Sequence, residues 1–259
     1  MSTEIITVYI SVIMLRKLMP KRTRLRTHQS SRAYHHGNLL DALVTAAVEL
    51  IEMNGVENLS LRDVSKRVGV SPGAPFRHFK NKAELLTAVA EQSMSRLTQA
   101  VEKALIACKD DDPIARLAAI GHGYLDWALG NPTHFQIISS RTLIDFQGSK
   151  TLVTQNEDIR QLMLEIVAKG QTTGHIRKDA SPHQVVVNAR AFAYGLARMA
   201  VDGHFSEWRV TGAPRKAAEQ ALGFYVRMLM PVRANGRSGT QPKYVGSVNS
   251  MRFPHGSRT

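Results

Sequence analysis

An all-α fold follows from three features of the sequence. Apolar residues recur at three- and four-residue spacing between about residue 60 and residue 230, Gly, Pro and Asp clusters punctuate them, and no stretch alternates with the period of a strand. No internal repeat is present, and the 43% hydrophobic content supports a real core.

Ser60 is a good N-cap for a short helix whose third position, Asp63, returns the cap and opposes the positive helix end. Leu61, Val64 and Val68 share its buried face. Gly69 is able to take the left-handed conformation that ends it, and Val70 closes the turn apolarly. The sequence predicts a second helix capped by Ser71, with Pro72 at its first position. Phe76 and Phe79 would hold that helix on the first, leaving Arg77, His78 and Lys80 outward. Asn81 and Glu84 cap a third helix and place Lys82 in its first turn. Two short helices around a tight turn suit DNA: the second enters the major groove while the first crosses the backbone. Pro72, Gly73 and Ala74 permit close approach but offer few donors. Base reading therefore falls to Arg77 and Arg62, since a guanidinium can grip guanine O6 and N7. The same spacing also fits an ordinary helical pair with a solvated basic face.

Glu84 to Ala107 forms a long connecting helix, with Leu86, Val89, Leu97, Val101 and Leu105 close to one face, ending before Lys109-Asp-Asp-Asp-Pro113. Ile114 to Leu129 follows, stopped by Gly130-Asn131-Pro132, and Pro132 to Ser140 is a short helix carrying Phe135, Ile137 and Ile138. Glu157 to Gly170 carries Ile159, Leu162, Met163, Ile166 and Val167. Two further helices, Pro182–Val201 and Pro214–Met230, are rich in small and apolar residues, among them Ala189, Ala193, Ala197, Ala217 and Ala221.

The chain has 259 residues and a formal net charge of +13, which speaks of partners rather than fold. Residues 1–38 hold seven cations against Glu4, and residues 232–259 hold five with no acid. Residues 59–82 hold six cations against Asp63, which leaves the remaining body at −3. Cationic charge is thus concentrated on arm, motif and tail, as expected if one end of the molecule faces nucleic acid. Ile5 to Leu15 is apolar, but shorter than the roughly 20 residues a bilayer needs, and its cations follow it, opposite to a secretory signal. No membrane or export segment is expected. Residues 1–36 read as a basic, disordered arm along DNA, as the product of a start upstream of Met14 or Met19, or as a membrane-surface segment. Residues 233–259 read as a basic disordered tail. The lone Cys108 excludes an intramolecular disulfide and fits a reducing cytoplasm.

Residues 37 to 98 resemble the N-terminal DNA-binding domain of the tetracycline-repressor (TetR/AcrR) family of bacterial transcription regulators. The resemblance rests on Gly37-Asn-Leu-Leu-Asp-Ala-Leu-Val-Thr-Ala-Ala-Val-Glu-Leu-Ile-Glu-Met-Asn-Gly55, on Gly69-Val-Ser through Phe76-Arg-His-Phe-Lys-Asn-Lys82, and on Lys82-Ala-Glu-Leu-Leu86. Carried over by position, it implies that Arg62, Gly73, Ala74 and Arg77 face bases, and that Ser60, Ser71, Phe76, His78 and Lys82 face phosphates; Lys80 joins the DNA-binding set. The family usually has tyrosine where this chain has Phe76, so a phosphate-bonding hydroxyl is absent. The Ala74-Pro75 pair resembles a subset whose C-terminal domain carries a Trp-His-Gly-like element, and Pro75 removes one early helix bond. The resemblance further implies a three-helix helix-turn-helix domain over 37–98 and a helical effector-binding and dimerisation domain over 99–232. In such proteins the last two helices form a dimer bundle, and a homodimer would read a pseudo-palindromic operator in double-stranded DNA. It also implies a cytoplasmic, nucleoid-associated repressor released by a small-molecule effector. Tyr124, Trp127, Phe135, Met163, Phe192 and Met199 are the candidate lining residues, and a body charge of −3 is compatible with a cationic or neutral effector. An activator or non-inducible regulator is the alternative, and an enzyme or scaffold on the same fold a remote one.

Nothing points to catalysis, a cofactor or a metal. His35-His36 are adjacent and point apart on regular structure, with no acidic or Cys partner in register. His122, His134, His175, His183 and His204 are scattered singly. Asp110-Asp-Asp112 precedes Pro113 and reads as a helix cap. No nucleophile elbow, Gly-rich phosphate loop or carboxylate pair appears.

Overall fold

The computed structural model describes residues 36–231, so the tail and all but the last residue of the expected arm lie outside it, as does His35. Among the described residues there are eight α-helices, one 3₁₀ turn and no strand: α1 His36–Asn54, α2 Leu61–Val68, the 3₁₀ turn Pro75–Arg77, α3 Lys82–Ala107, α4 Pro113–Gly130, α5 Pro132–Ser139, α6 Lys150–Thr173, α7 Pro182–Val201 and α8 Pro214–Met228.

Capping chemistry sets most of these limits. Ser60 accepts from the Asp63 N–H at 3.1 Å, and Gly69, at φ 77°, ends α2 with the Val70 N–H donating to the Ser65 carbonyl at 3.0 Å. Asn81 accepts from the Glu84 N–H at 2.9 Å, while the Glu84 carboxylate accepts from the Lys80 N–H at 2.7 Å. Asp112 caps α4 through the Ala115 N–H, and Ser181 and Gln184 form a reciprocal capping box at the start of α7.

Two small bodies share α3. Leu43, Val44 and Ala47 of α1, Leu61 and Val64 of α2, and Leu85, Leu86 and Val89 of α3 are buried where α1 packs on α2 and α3. Further along, α4 is the central helix of the larger body and meets α3, α5, α6, α7 and α8. Its glycines allow that closeness: a Cβ on Gly123 would lie 2.9 Å from the Ala100 carbonyl oxygen of α3, and one on Gly121 would lie 2.8 Å from Leu222 of α8. Polar bonds fasten the first half of α3 to the segments that follow α4. The Thr87 hydroxyl accepts from the Asp145 N–H at 3.0 Å, Ser149 donates to Glu91 at 2.6 Å, and Gln92 bonds the His134 ring at 3.2 Å.

Two expectations are corrected. The helix expected over Glu157–Gly170 runs from Lys150 to Thr173. Ser149 caps it through the Leu152 N–H at 3.2 Å, and Leu152 is fully buried, so one apolar anchor on an otherwise polar stretch suffices to extend the helix by two turns. The second helix of the motif is absent as an α-helix. Residues 71–74 form a turn closed by the Ala74 N–H on the Ser71 carbonyl at 2.9 Å, followed by the single 3₁₀ turn. Ser71 therefore caps no helix. Pro75 stands where the first helical N–H would bond back to Ser71, and Gly73 adds backbone freedom, so the segment closes with three-residue bonds instead.

Candidate nucleic-acid interface and helical cavity

The turn unit between α2 and α3 is held rigidly from beneath. Pro75 and Phe79 are buried, and the Phe79 N–H donates to the Pro75 carbonyl at 2.9 Å. Phe76, expected to pack with Phe79 against the first helix, is instead 52% exposed, while Phe79 is buried. Ser71, Gly73, Arg77 and Lys80 are exposed, while Ala74 and His78 are half-buried. Arg62 is exposed on the first turn of α2, next to Ser60, whose hydroxyl is engaged with Asp63.

The cations of this region divide by partner. Arg67 is bound to Glu49 of α1 at 2.7 Å and fastens α2 on α1. Lys80 lies 3.8 Å from Glu84, and Lys82 donates to the Glu57 carbonyl at 3.0 Å, closing the loop before α2 onto the start of α3. Arg62, Lys66 and Arg77 have no carboxylate within 4 Å among the described residues. Lys66 is absent from the sequence-predicted set, although it is exposed on the same short helix as Arg62.

A cavity of about 600 Å³ lies among α3, α4, α6, α7 and α8. Tyr124, Trp127 and Met163 form part of its wall, together with Met94 and Leu97 of α3. Phe135, Phe192 and Met199 do not line it. Phe135 is fully buried behind it, edge-on to Trp127 with centroids 6.3 Å apart, and Phe192 stacks on Tyr225 at 4.6 Å. Sequence reasoning missed Arg141 and Arg190, which stand on the wall. Arg190 donates to the Tyr124 hydroxyl at 3.1 Å and lies over the Tyr124 and Tyr194 rings, 5.0 and 5.7 Å from their centroids. Arg141 donates to the Ile138 carbonyl at 2.6 Å and lies 4.1 Å from the Phe146 centroid. Burial raises the Tyr124 phenol above its ordinary pKa, and burial beside Arg190 holds Arg141 below the usual guanidinium range. An arginine in the middle of the Ala- and Val-rich α7 was the available signal for Arg190.

Among the described residues no group of three His, Cys, Asp or Glu side chains is placed to hold a metal ion, and no helix is long and apolar enough to cross a membrane.

Two family models match the chain: "Bacterial regulatory proteins, tetR family" over residues 43–89 and "Tetracyclin repressor-like, C-terminal domain" over residues 117–225. The HTH-type transcriptional regulator BetI of Yersinia pestis (strain Pestoides F) is 34% identical over 84 residues, 32% of this chain and 42% of that protein. The chain thus spans less than half the length of the curated relatives it matches. A Rhodococcus sp. RHA1 protein of unknown function superposes with a TM-score of 0.65 at 27% identity, covering 78% of this chain and all of that one. A tetR-family regulatory protein from Rhodococcus RHA1 superposes with a TM-score of 0.60 at 18% identity over 78% of this chain, a likeness of fold.

Proposed function

Because the chain belongs to the TetR family of bacterial regulatory proteins, we propose that it is a sequence-specific DNA-binding regulator of transcription, acting in the cytoplasm as a homodimeric repressor that a small-molecule ligand releases from its operator. The observation that carries this reading is that α3 belongs to both halves of the device. Its first turn holds Lys82 beside the exposed turn with Arg77, and its middle supplies Met94 and Leu97 to the cavity wall. A ligand filling the cavity therefore acts on the helix that carries the DNA-facing surface. Residues 37–98 serve as the DNA-binding domain and 99–232 as the effector and dimer domain in this reading.

Arg62, Gly73, Ala74 and Arg77 face bases, with the two arginines reading base edges, while Ser60, Ser71, Phe76, His78, Lys80 and Lys82 lie along phosphates. Dimerisation is supported by the apolar surface of the last two helices, where Val187, Phe224 and Met228 are 65%, 60% and 54% exposed. Two copies would then read half-sites about 34–36 Å apart or a multiple of that.

Fluorescence anisotropy with DNA from upstream of the chain's own reading frame, against shuffled DNA at near-physiological salt, tests the reading. A preference of about 10³-fold or more is expected, and a small-molecule screen for DNA release then tests the ligand. Equal, salt-sensitive binding to both DNAs would contradict operator recognition in that region, and specific binding that no ligand relieves would favour an activator or non-inducible regulator.

A further inference from the structure

We propose that the cavity takes an amphiphilic organic anion, its apolar body against the aromatic wall and its negative head between Arg141 and Arg190; this rests on the reading of the cavity as the effector site. The charged residues on the wall are Arg141, Arg160 and Arg190, and no Asp, Glu, Lys or His joins them. Arg160 is answered by Glu157 at 2.7 Å. Arg141 and Arg190 have no carboxylate within 4 Å among the described residues, and each spends only part of its five-donor fork, one on a carbonyl and the other on a neutral phenol.

Ring contacts with Phe146, Tyr124 and Tyr194 hold both guanidinium groups in place, so the unused donors are preorganised. Each residue is also exposed, which puts the pair at the opening, while Leu97, Trp127 and Met163 stand deeper and buried. Two like charges near one another are relieved by an anion and worsened by a cation, and a neutral ligand would leave the forks unanswered. The −3 charge of the body as a whole misdescribes this wall, because its acids lie elsewhere. The indole N–H of Trp127, buried and without a partner among the described residues, adds one more donor at the wall.

The chain has two tryptophans, and Trp208 is 74% exposed, so Trp208→Phe leaves Trp127 as the sole indole reporter at the wall. In that background the full chain is titrated with decanoate, decyl phosphate and 1-decanol, each below its aggregation threshold, following Trp127 emission. Saturable binding of an anion at least about tenfold tighter than decanol is expected, and the two anions distinguish a carboxylate from a phosphate head. Arg141→Gln and Arg190→Gln should each erode that preference while leaving decanol affinity unchanged, which also shows the variants folded. Equal affinity for all three, or a preference that survives both substitutions, would overturn the anion assignment and leave the effector reading standing. A Trp127 signal unmoved by all three would overturn it as well, and the DNA-release screen then judges the effector reading independently.

Discussion

Arg77 and Lys82 lie five positions apart but are held differently, so their substitutions separate two kinds of contact. Arg77 is exposed with no carboxylate within 4 Å among the described residues, and Arg77→Ala should cost about 1–3 kcal/mol on the preferred operator and relax one base position per half-site. Lys82 is tied to the Glu57 carbonyl, and Lys82→Ala should weaken all DNA sequences alike and flatten the salt slope by about 1 per monomer. Operator and random DNA titrated over a salt series check both; equal losses on both DNAs for both variants would refute the division. His134 makes a second residue-scale prediction. Burial, and then the nearby Arg96 charge, lower its pKa to about 4 from an ordinary 6.5. The unfolded chain therefore binds the extra proton first, and the contribution of neutral His134 is present above pH 6.5 and is lost as pH falls towards 4, at most about 3 kcal/mol. Thermal unfolding across pH 4 to 7 should show this loss, and His134→Gln should blunt it. Most single residues of the motif were legible because caps and turns are local chemistry: Ser60, Asp63, Gly69 and Asn81 do what their types dictate. Arg141 and Arg190 were not, because they come to one cavity wall from segments far apart in the chain.

At the scale of elements, helix limits were read well wherever a cap and a stop residue flank an apolar stripe. Pro182–Val201 matches its expected span, and Pro214–Met228 stops two residues short of it. The failures are physical. The start of α6 offers one buried residue, Leu152, in its first turn, too little periodicity to register. The segment after α2 combines a cap-like Ser71-Pro72 start with Pro75, and the missing N–H outweighed the cap. Packing between elements is the least legible of all, since a glycine in a helix does not announce which neighbour it admits. Gly123→Ala should lower stability by about 1–3 kcal/mol, because the added carbon meets the Ala100 carbonyl and the Val101 backbone of α3 rather than a flexible side chain. Calorimetry of the variant checks this, and an unchanged melting temperature would mean that α3 and α4 can separate at no cost.

For the whole molecule, the proposed dimerisation and the proposed ligand response would have to coexist on the last helices. Phe224→Glu should yield a monomer in sedimentation and reduce operator affinity towards that of a single half-site, while leaving the Trp127 response to ligand intact. A dimer with full affinity would place the interface elsewhere. The close contact of Gly123 with Ala100 also has a mechanical meaning. It makes a fulcrum on a 26-residue rod, with Met94 about 9 Å and Lys82 about 27 Å away on the same arm at a rise of 1.5 Å per residue. A push of 1 Å at Met94 would thereby be geared up about threefold at the tip, so in the proposed dimer a displacement too small to disturb the cavity wall would spoil the spacing of two tips on DNA. The three polar bonds at Thr87, Glu91 and Gln92 lie between load and tip and act as the restoring spring.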